Sequence, residues 1–520
     1  MDRRHFLQLT TGASAATLLG SRPALTFSGN RQLIEAWTAQ GVPMPQEVLN
    51  QTYFLSLQDD PLPNPPRTVR DGKLWTQLPS QPVAIAFYQA IPGFGNVTLY
   101  ADNQGRGYQP PDFPLNLNLA CAESRIYRVR AAIATWASRG YRPSDQVESR
   151  LQRASLKLQQ AQTPSSRREQ AMLASESLRE GLWAGELAVY EQARQHIAQH
   201  PPRPEFLWGC NFFGHPEAGD SYDRQFQALF NFATLPFYWR SFEPQPGQPN
   251  FARIDRALSW LEGAKITPKG HPLVWFHEAG VPDWIKELSY DQLCDRTQQR
   301  VTQITRHYGH RIPYYDLINE AHDIDWANIL NYSPDQFLEI TRLASAAAAA
   351  GYPKVQRIIN ACCLWAEYVP KHAYPLPKKS AYQYLQRCLE AEIPFEIIGL
   401  QLYYPSQDMF EINRLLERFG QLGRPIHITE LGVSSATTPD LSSHFKTVPG
   451  LWHQPWTEAI QADWVEQFYT LCYSKPFIHA VTWWDFADGG FWPHGGLLQA
   501  DLRPKDSFGR LQALRHRLLE

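Results

Sequence analysis

Beyond Pro204 the apolar residues gather into short runs that alternate with longer stretches of helical spacing, and the alternation repeats eight times. The runs cover 206–212, 233–239, 267–275, 313–319, 356–361, 396–403, 425–429 and 480–485. Apolar runs of this length, bounded by Gly, Pro or Asn, predict strands buried on both faces, and the stretches between them predict helices. The helix after the fourth run is well punctuated: Ser333 at the N-cap, Pro334 at the first position and Gly351 just past the end. Eight such units over residues 205–520 predict an α/β fold, the (β/α)8 TIM barrel.

The texture before Pro204 differs. Residues 45–122 hold short alternating segments, such as 83–87 and 96–100, separated by Pro, Gly and Asn, which predicts a small β-sandwich-like domain. Residues 123–204 read as a helical connector. Val147, Leu151, Ala154 and Leu158 line one helix face behind Ser144 as N-cap, and a second helix runs from Pro164 to about His200 with proline in its first turn. Pro201-Pro202-Arg203-Pro204 ends it. At the other end, Arg3-Arg4 before Phe6-Leu7 and a mildly apolar stretch from Leu9 to Gly20 predict a twin-arginine-type signal over 1–26, too short and polar to span a bilayer. The expected destination is periplasmic or extracellular.

Composition narrows the partners. A formal net charge of −2 offers no basic footprint for nucleic acid, and 17 Trp with 23 Tyr suit stacking on sugar faces or a large core. Tyr88, Tyr100 and Tyr108 could form a stacking platform in the β-rich domain, which is carbohydrate-binding-like or else a scaffold. The seven cysteines are scattered without a Cys-x-x-Cys pair, so neither a zinc site nor a disulfide framework is expected. His322, Asp323 and Asp325 invite a metal reading that ordinary loop polarity explains better. No cofactor and no metal are expected.

The chemistry lies in the fourth and seventh runs, Tyr315-Asp316-Leu317-Ile318-Asn319-Glu320 and Ile426-His427-Ile428-Thr429-Glu430-Leu431. Each brings a glutamate to the C-terminal end of a strand, where TIM barrels carry their catalytic groups. Two facing carboxyls are what glycosidic cleavage needs. Further segments agree: Phe242-Glu243-Pro244 with Gly247, Gly270-His271-Pro272-Leu273-Val274-Trp275 followed by Pro282 and Trp284, Gly399-Leu400-Gln401, and Trp484 with Asp488 and Trp492. With these motifs, residues 205–520 resemble glycoside hydrolase family 10, whose best-known members are endo-β-1,4-xylanases.

The resemblance implies a retaining double displacement on a β-linked polysaccharide, with Glu320 as general acid/base and Glu430 as nucleophile. It places Asn319 on the sugar 2-hydroxyl and Trp275, Trp484 and Trp492 around the −1 sugar. His271 would donate to a sugar hydroxyl or orient a neighbour. Gln401 and Tyr403 share one face of the sixth strand, and Tyr403 stands where the family has a histidine on the nucleophile. Asp316, Asp485 and Glu243 read as structural. The chain departs from the family pattern at Leu235, Pro236, Phe237 and Tyr238, where polar glycone contacts are usual, and at Ala361-Cys362-Cys363, where Asp-Tyr-Asn would follow Asn360. Linear xylan is therefore expected to be a poor substrate. The alternative is a glycan-binding protein that does not cleave, and retention of both glutamates argues against it.

Overall fold

The computed structural model describes residues 29–322, 325–366, 368, 379–403, 407–439 and 450–520. The signal-like segment lies outside them.

The N-terminal unit opens with β1 (Gln32–Glu35), β2 (Tyr53–Leu55), β3 (Arg67–Arg70), β4 (Lys73–Thr76), β5 (Ala84–Ile91), β6 (Gly95–Ala101) and β7 (Leu115–Asn116). One sheet has the order β3-β4-β1-β7. Strand β1 precedes the expected start at 45, since a four-residue strand gives almost no periodic signal. The β5–β6 hairpin pairs from Ile85↔Ala101 to Ile91↔Gly95. Three helices follow: α1 (Leu117–Ala137), α2 (Asp145–Gln162) and α3 (Arg167–Ala198). Ser144 caps α2 as the sequence predicts. For α3 the side-chain cap is Ser166, so Pro164 stands just outside the helix rather than in its first turn.

All eight predicted strands close into one barrel: β8 (Leu207–Asn211), β9 (Phe232–Pro236), β10 (Thr267–His271), β11 (Tyr314–Asn319), β12 (Gln356–Ala361), β13 (Ile397–Tyr403), β14 (Ile426–Gly432) and β17 (Ile478–Trp483). The neighbouring strands are parallel, with β17 pairing back onto β8. Between and after them lie α4 (Gly219–Leu229), α5 (Ala252–Ala264), α6 (Tyr290–Tyr308), α7 (Pro334–Gly351), α8 (Ala381–Glu390), α9 (Met409–Gly420), α10 (Glu458–Tyr473) and α11 (Asp506–Leu519). Helix α7 has the expected Ser333 cap with Pro334 at its start, but it takes in Gly351 and stops at Tyr352.

The two units are fastened together. The loop after β14 sends out β15 (Leu451–Trp452) and β16 (Gln454–Pro455), which join β2, β5 and β6 in a five-stranded sheet of order β16-β15-β6-β5-β2. Gly95 makes that junction possible: a Cβ there would lie 2.6 Å from the Leu451 carbonyl oxygen, and its φ is +136°. Below it, buried Arg125 and Arg128 of α1 pair with Asp408 and Glu411 at the start of α9, at 2.6 and 3.2 Å. Buried charges need such partners. Gln407 Nε2 donates to the Tyr100 hydroxyl at 3.0 Å and Ser380 Oγ donates to Asp60 Oδ1 at 3.0 Å. Tyr100 and Tyr108 are buried in these contacts and in the N-terminal core, so they form no stacking platform.

Candidate active site

Strand β11 delivers Asn319 and Glu320 to the barrel mouth. Glu320 is the first residue past the strand and has φ +58°, a left-handed conformation that costs a non-glycine residue roughly 1–2 kcal/mol. Its N–H donates to the Asn360 carbonyl at 2.8 Å, so the neighbouring strand holds the turn in place. Glu430 sits inside β14, which runs three residues further than the sequence suggests. Both carboxyls are buried, at 7% and 5% exposed.

A polar network joins them. Gln401 Nε2 donates to Glu320 Oε1 and to Asn319 Oδ1, each at 3.1 Å. Asn360 Nδ2 donates to Asn319 Oδ1 at 2.7 Å and to Glu430 Oε1 at 2.9 Å. Thr429 Oγ1 donates to Asn360 Oδ1 at 2.5 Å, so both ends of the Asn360 amide are engaged. Tyr403 donates its hydroxyl to Glu430 Oε2 at 2.6 Å. On the far oxygen of Glu320, Oε2, two indole N–H groups converge, Trp275 at 2.9 Å and Trp326 at 3.3 Å.

Beneath this layer Asp316 Oδ2 is 2.7 Å from both Lys269 Nζ and His271 Nδ1. His271 Nε2 lies 3.8 Å from Glu430 Oε1, so the imidazole stands between Asp316 and the carboxyl pair. Burial would raise the Asp316 pKa, but Lys269 and His271 hold it below its ordinary value. Burial lowers that of His271 and keeps the ring neutral against the pull of Asp316.

Burial pushes both site carboxyls up. Glu430 reaches about 8, with Tyr403 pulling down and the charge of Glu320 pushing up. Glu320 is raised by burial against its indole and amide donors. Two buried, interacting carboxyls of this kind keep one proton between them across neutrality, and their titration belongs to the pair.

The aromatic residues divide. Trp275 is half-buried and stacks on His277 with centroids 4.3 Å apart. Tyr238 meets His271 and Trp275, and Phe213 meets Tyr238 and Trp484, all within 6.1 Å between centroids. Trp492 is only 1% exposed and packs behind Tyr403, so it supports the mouth rather than presenting a face to a sugar. Asp485 accepts the backbone N–H groups of Phe491 and Trp492 and pins that loop. Glu243 is structural too, accepting from Trp239 and from the Gly247 N–H. Leu235 and Phe237 are fully buried in the core, so of the four departures on that side Tyr238 is the one joined to the aromatic group at the mouth. His322 spends its ring on Tyr368 and Cys362, and among the described residues no group of three or more His, Cys, Asp or Glu side chains could hold a metal.

Asn360 and Trp326 are the residues that sequence reasoning missed. Asn360 was visible as the retained first residue of the fifth-strand motif, overshadowed by the three replacements after it. Trp326 lies in a loop with no motif.

The model for Glycosyl hydrolase family 10 matches residues 217–512, more than half of the chain. A beta-1,4-xylanase of Dictyoglomus thermophilum is 24% identical over 294 residues, covering 52% of this chain and 77% of the relative. Endo-1,4-beta-xylanase B of Thermotoga neapolitana is 21% identical over 308 residues, covering 56% and 79%. Among solved structures, xylanase 10B from Thermotoga petrophila in complex with xylobiose aligns with a TM-score of 0.49 at 18% identity, over 63% of this chain and 97% of that one. The chain belongs to glycosyl hydrolase family 10 and is a glycosidase.

Proposed function

We propose that this glycosidase cleaves β-glycosidic, β-1,4 bonds in xylan or a related β-glycan with retention of configuration. The observation that carries the reading is the network through Gln401, Asn319 and Asn360 that ties two buried carboxyls on opposite strands into one unit. In the first step Glu320 gives its proton to the glycosidic oxygen as the C–O bond breaks. One Glu430 oxygen bonds to the anomeric carbon, giving a glycosyl ester. In the second step Glu320, now a carboxylate, takes a proton from water as the water oxygen attacks the same carbon and the ester bond breaks.

The working form carries the pair's one proton on Glu320. Tyr403 and Asn360 favour the ionised Glu430 by direct hydrogen bonds. The Asn319 carbonyl oxygen is turned to Asn360 and Gln401, which leaves its NH2 as the end that donates to a sugar 2-hydroxyl. Such a bond tightens as positive charge develops on the ring and so aids rate more than binding.

Export by the Arg3-Arg4 segment belongs to the same reading, and a secreted reporter carrying residues 1–26 tests it. The activity itself is tested by release of reducing ends from a panel of β-1,4 and β-1,3 polysaccharides, wild type beside Glu430→Ala. Cleavage by the wild type alone supports the proposal. Binding without cleavage would favour the glycan-binding alternative.

A further inference from the structure

Trp326 is 41% exposed, an unusual amount of open indole, and it sits in a single 3-10 turn (Asp325–Ala327) just beyond Glu320. Its N–H is not idle: it donates to Glu320 Oε2. We propose that Trp326 positions the acid through this bond and offers its exposed ring to the sugar on the leaving-group side of the cleft. The inference rests on the retaining β-glycan reading above.

Three observations support it. An exposed indole whose N–H is tied to a carboxylate keeps its ring beside the acid, and aromatic faces bind pyranose C–H surfaces at little entropic cost. Next, the turn that carries the ring packs through Ala327 against Cys362, Ala366 and Tyr368 after β12, a cluster that Trp275 also meets. A sugar held by the rings of Phe213, Tyr238 and Trp484 leaves its partner, the one departing with the proton of Glu320, to meet the ring beside Glu320. Finally, Trp275 and Trp326 both donate to Oε2, whereas Gln401 donates to Oε1. That crowding steers the acidic proton to Oε1, the oxygen on the side of Gln401.

Other charged or titratable groups face Glu320 from neighbouring elements: Glu430 on β14, Tyr238 after β9 and Cys362 after β12. None of them is altered by changing Trp326, so a shift in the titration of Glu320 reports the indole. Loss of one N–H donor to the carboxylate raises its pKa, since the donor lowers it.

The test compares Trp326→Phe and Trp326→Ala with wild type on an aryl β-glycoside and on a linear β-1,4 oligosaccharide. The aryl leaving group needs neither proton nor stacking. Trp326→Ala is expected to lose about tenfold or more in kcat/KM on the oligosaccharide and to keep most aryl activity. Trp326→Phe is expected to keep KM for the oligosaccharide while its alkaline limb moves upward. Equal losses on both substrates, or an unmoved limb in Trp326→Phe, would overturn the proposal. If wild type cleaves no β-glycan, the reading of function fails. Carboxyl 13C titration of Glu320 in wild type and Trp326→Phe then still decides the case: an upward shift supports the anchoring of the acid, and an unchanged value overturns it.

Discussion

The half of the barrel mouth above β17, β8, β9 and β10 is lined by aromatic rings packed on one another, whereas in the other half the loops after β13 and β14 are tied to the N-terminal unit. The first half presents apolar faces, which tolerate variation in a sugar because an apolar wall discriminates weakly. The second is held by buried ion pairs, a shared sheet and specific hydrogen bonds, which fix geometry. The carboxyl pair lies on the seam, with Trp275 reaching Glu320 from the soft side and Tyr403 reaching Glu430 from the fixed side. The N-terminal unit is thus fastened to the barrel through α9 and the loops after β13 and β14.

The largest expected effect is at the seam itself. Glu430→Ala should abolish cleavage of every substrate, whereas Glu320→Ala should lose about 10²–10⁴-fold on polysaccharide and far less on aryl glycosides with good leaving groups. Azide should restore turnover only to Glu320→Ala. Equal, unrescued losses would reverse or dissolve the assignment of roles.

Next in size is Tyr403→Phe on the fixed side. A hydrogen bond to a charged group contributes about 1.5–3 kcal/mol, so kcat should fall roughly ten- to hundredfold with KM little changed. An unchanged kcat would mean that Asn360 alone suffices to hold the nucleophile.

A smaller effect sharpens the comparison between the halves. Gly95→Val places a side chain against the Leu451 carbonyl and should lower stability by about 1–3 kcal/mol while disturbing the loop after β14. Thermal melting and the product pattern check it. A variant as stable as wild type, with the same products, would make the shared sheet incidental.

The pH dependence of stability should be subtler. Unfolded, both site carboxyls give up their protons near the ordinary carboxyl value, whereas the folded pair holds one proton to about 8. Between those values the unfolded state binds fewer protons, so the pair takes stability away as pH rises, with no further change above about 8. Glu430→Gln removes that loss, so its advantage in melting temperature over wild type should grow from mildly acidic to mildly alkaline pH. A constant difference would show the carboxyl to be less buried than the structure has it.

The barrel was legible because each of its strands is a dense apolar run, and Gln356–Ala361 was read with both ends correct. The glutamates were legible because each closes such a run. The N-terminal sheet was harder, since strands such as Leu115–Asn116 hold too few residues for a period. That β15 and β16 extend the other N-terminal sheet could not be read at all: the pairing of β15 with β6 spans more than 350 residues and depends on a glycine at 95 rather than on any local pattern. Trp492 misled because its motif spacing is kept while its ring faces Tyr403 inside the core. Leu235 and Phe237 misled in the same way, as replacements that are buried rather than lining a cleft.

The central claim, that Glu430 forms a covalent bond to the sugar, is tested most directly by incubation with a 2-deoxy-2-fluoro β-glycoside carrying a good leaving group, followed by mass spectrometry of the digested protein. The account predicts one fluoroglycosyl adduct, on the peptide bearing Glu430, absent from Glu430→Ala. Turnover with inverted anomeric configuration and no adduct, or an adduct on Glu320, would contradict it.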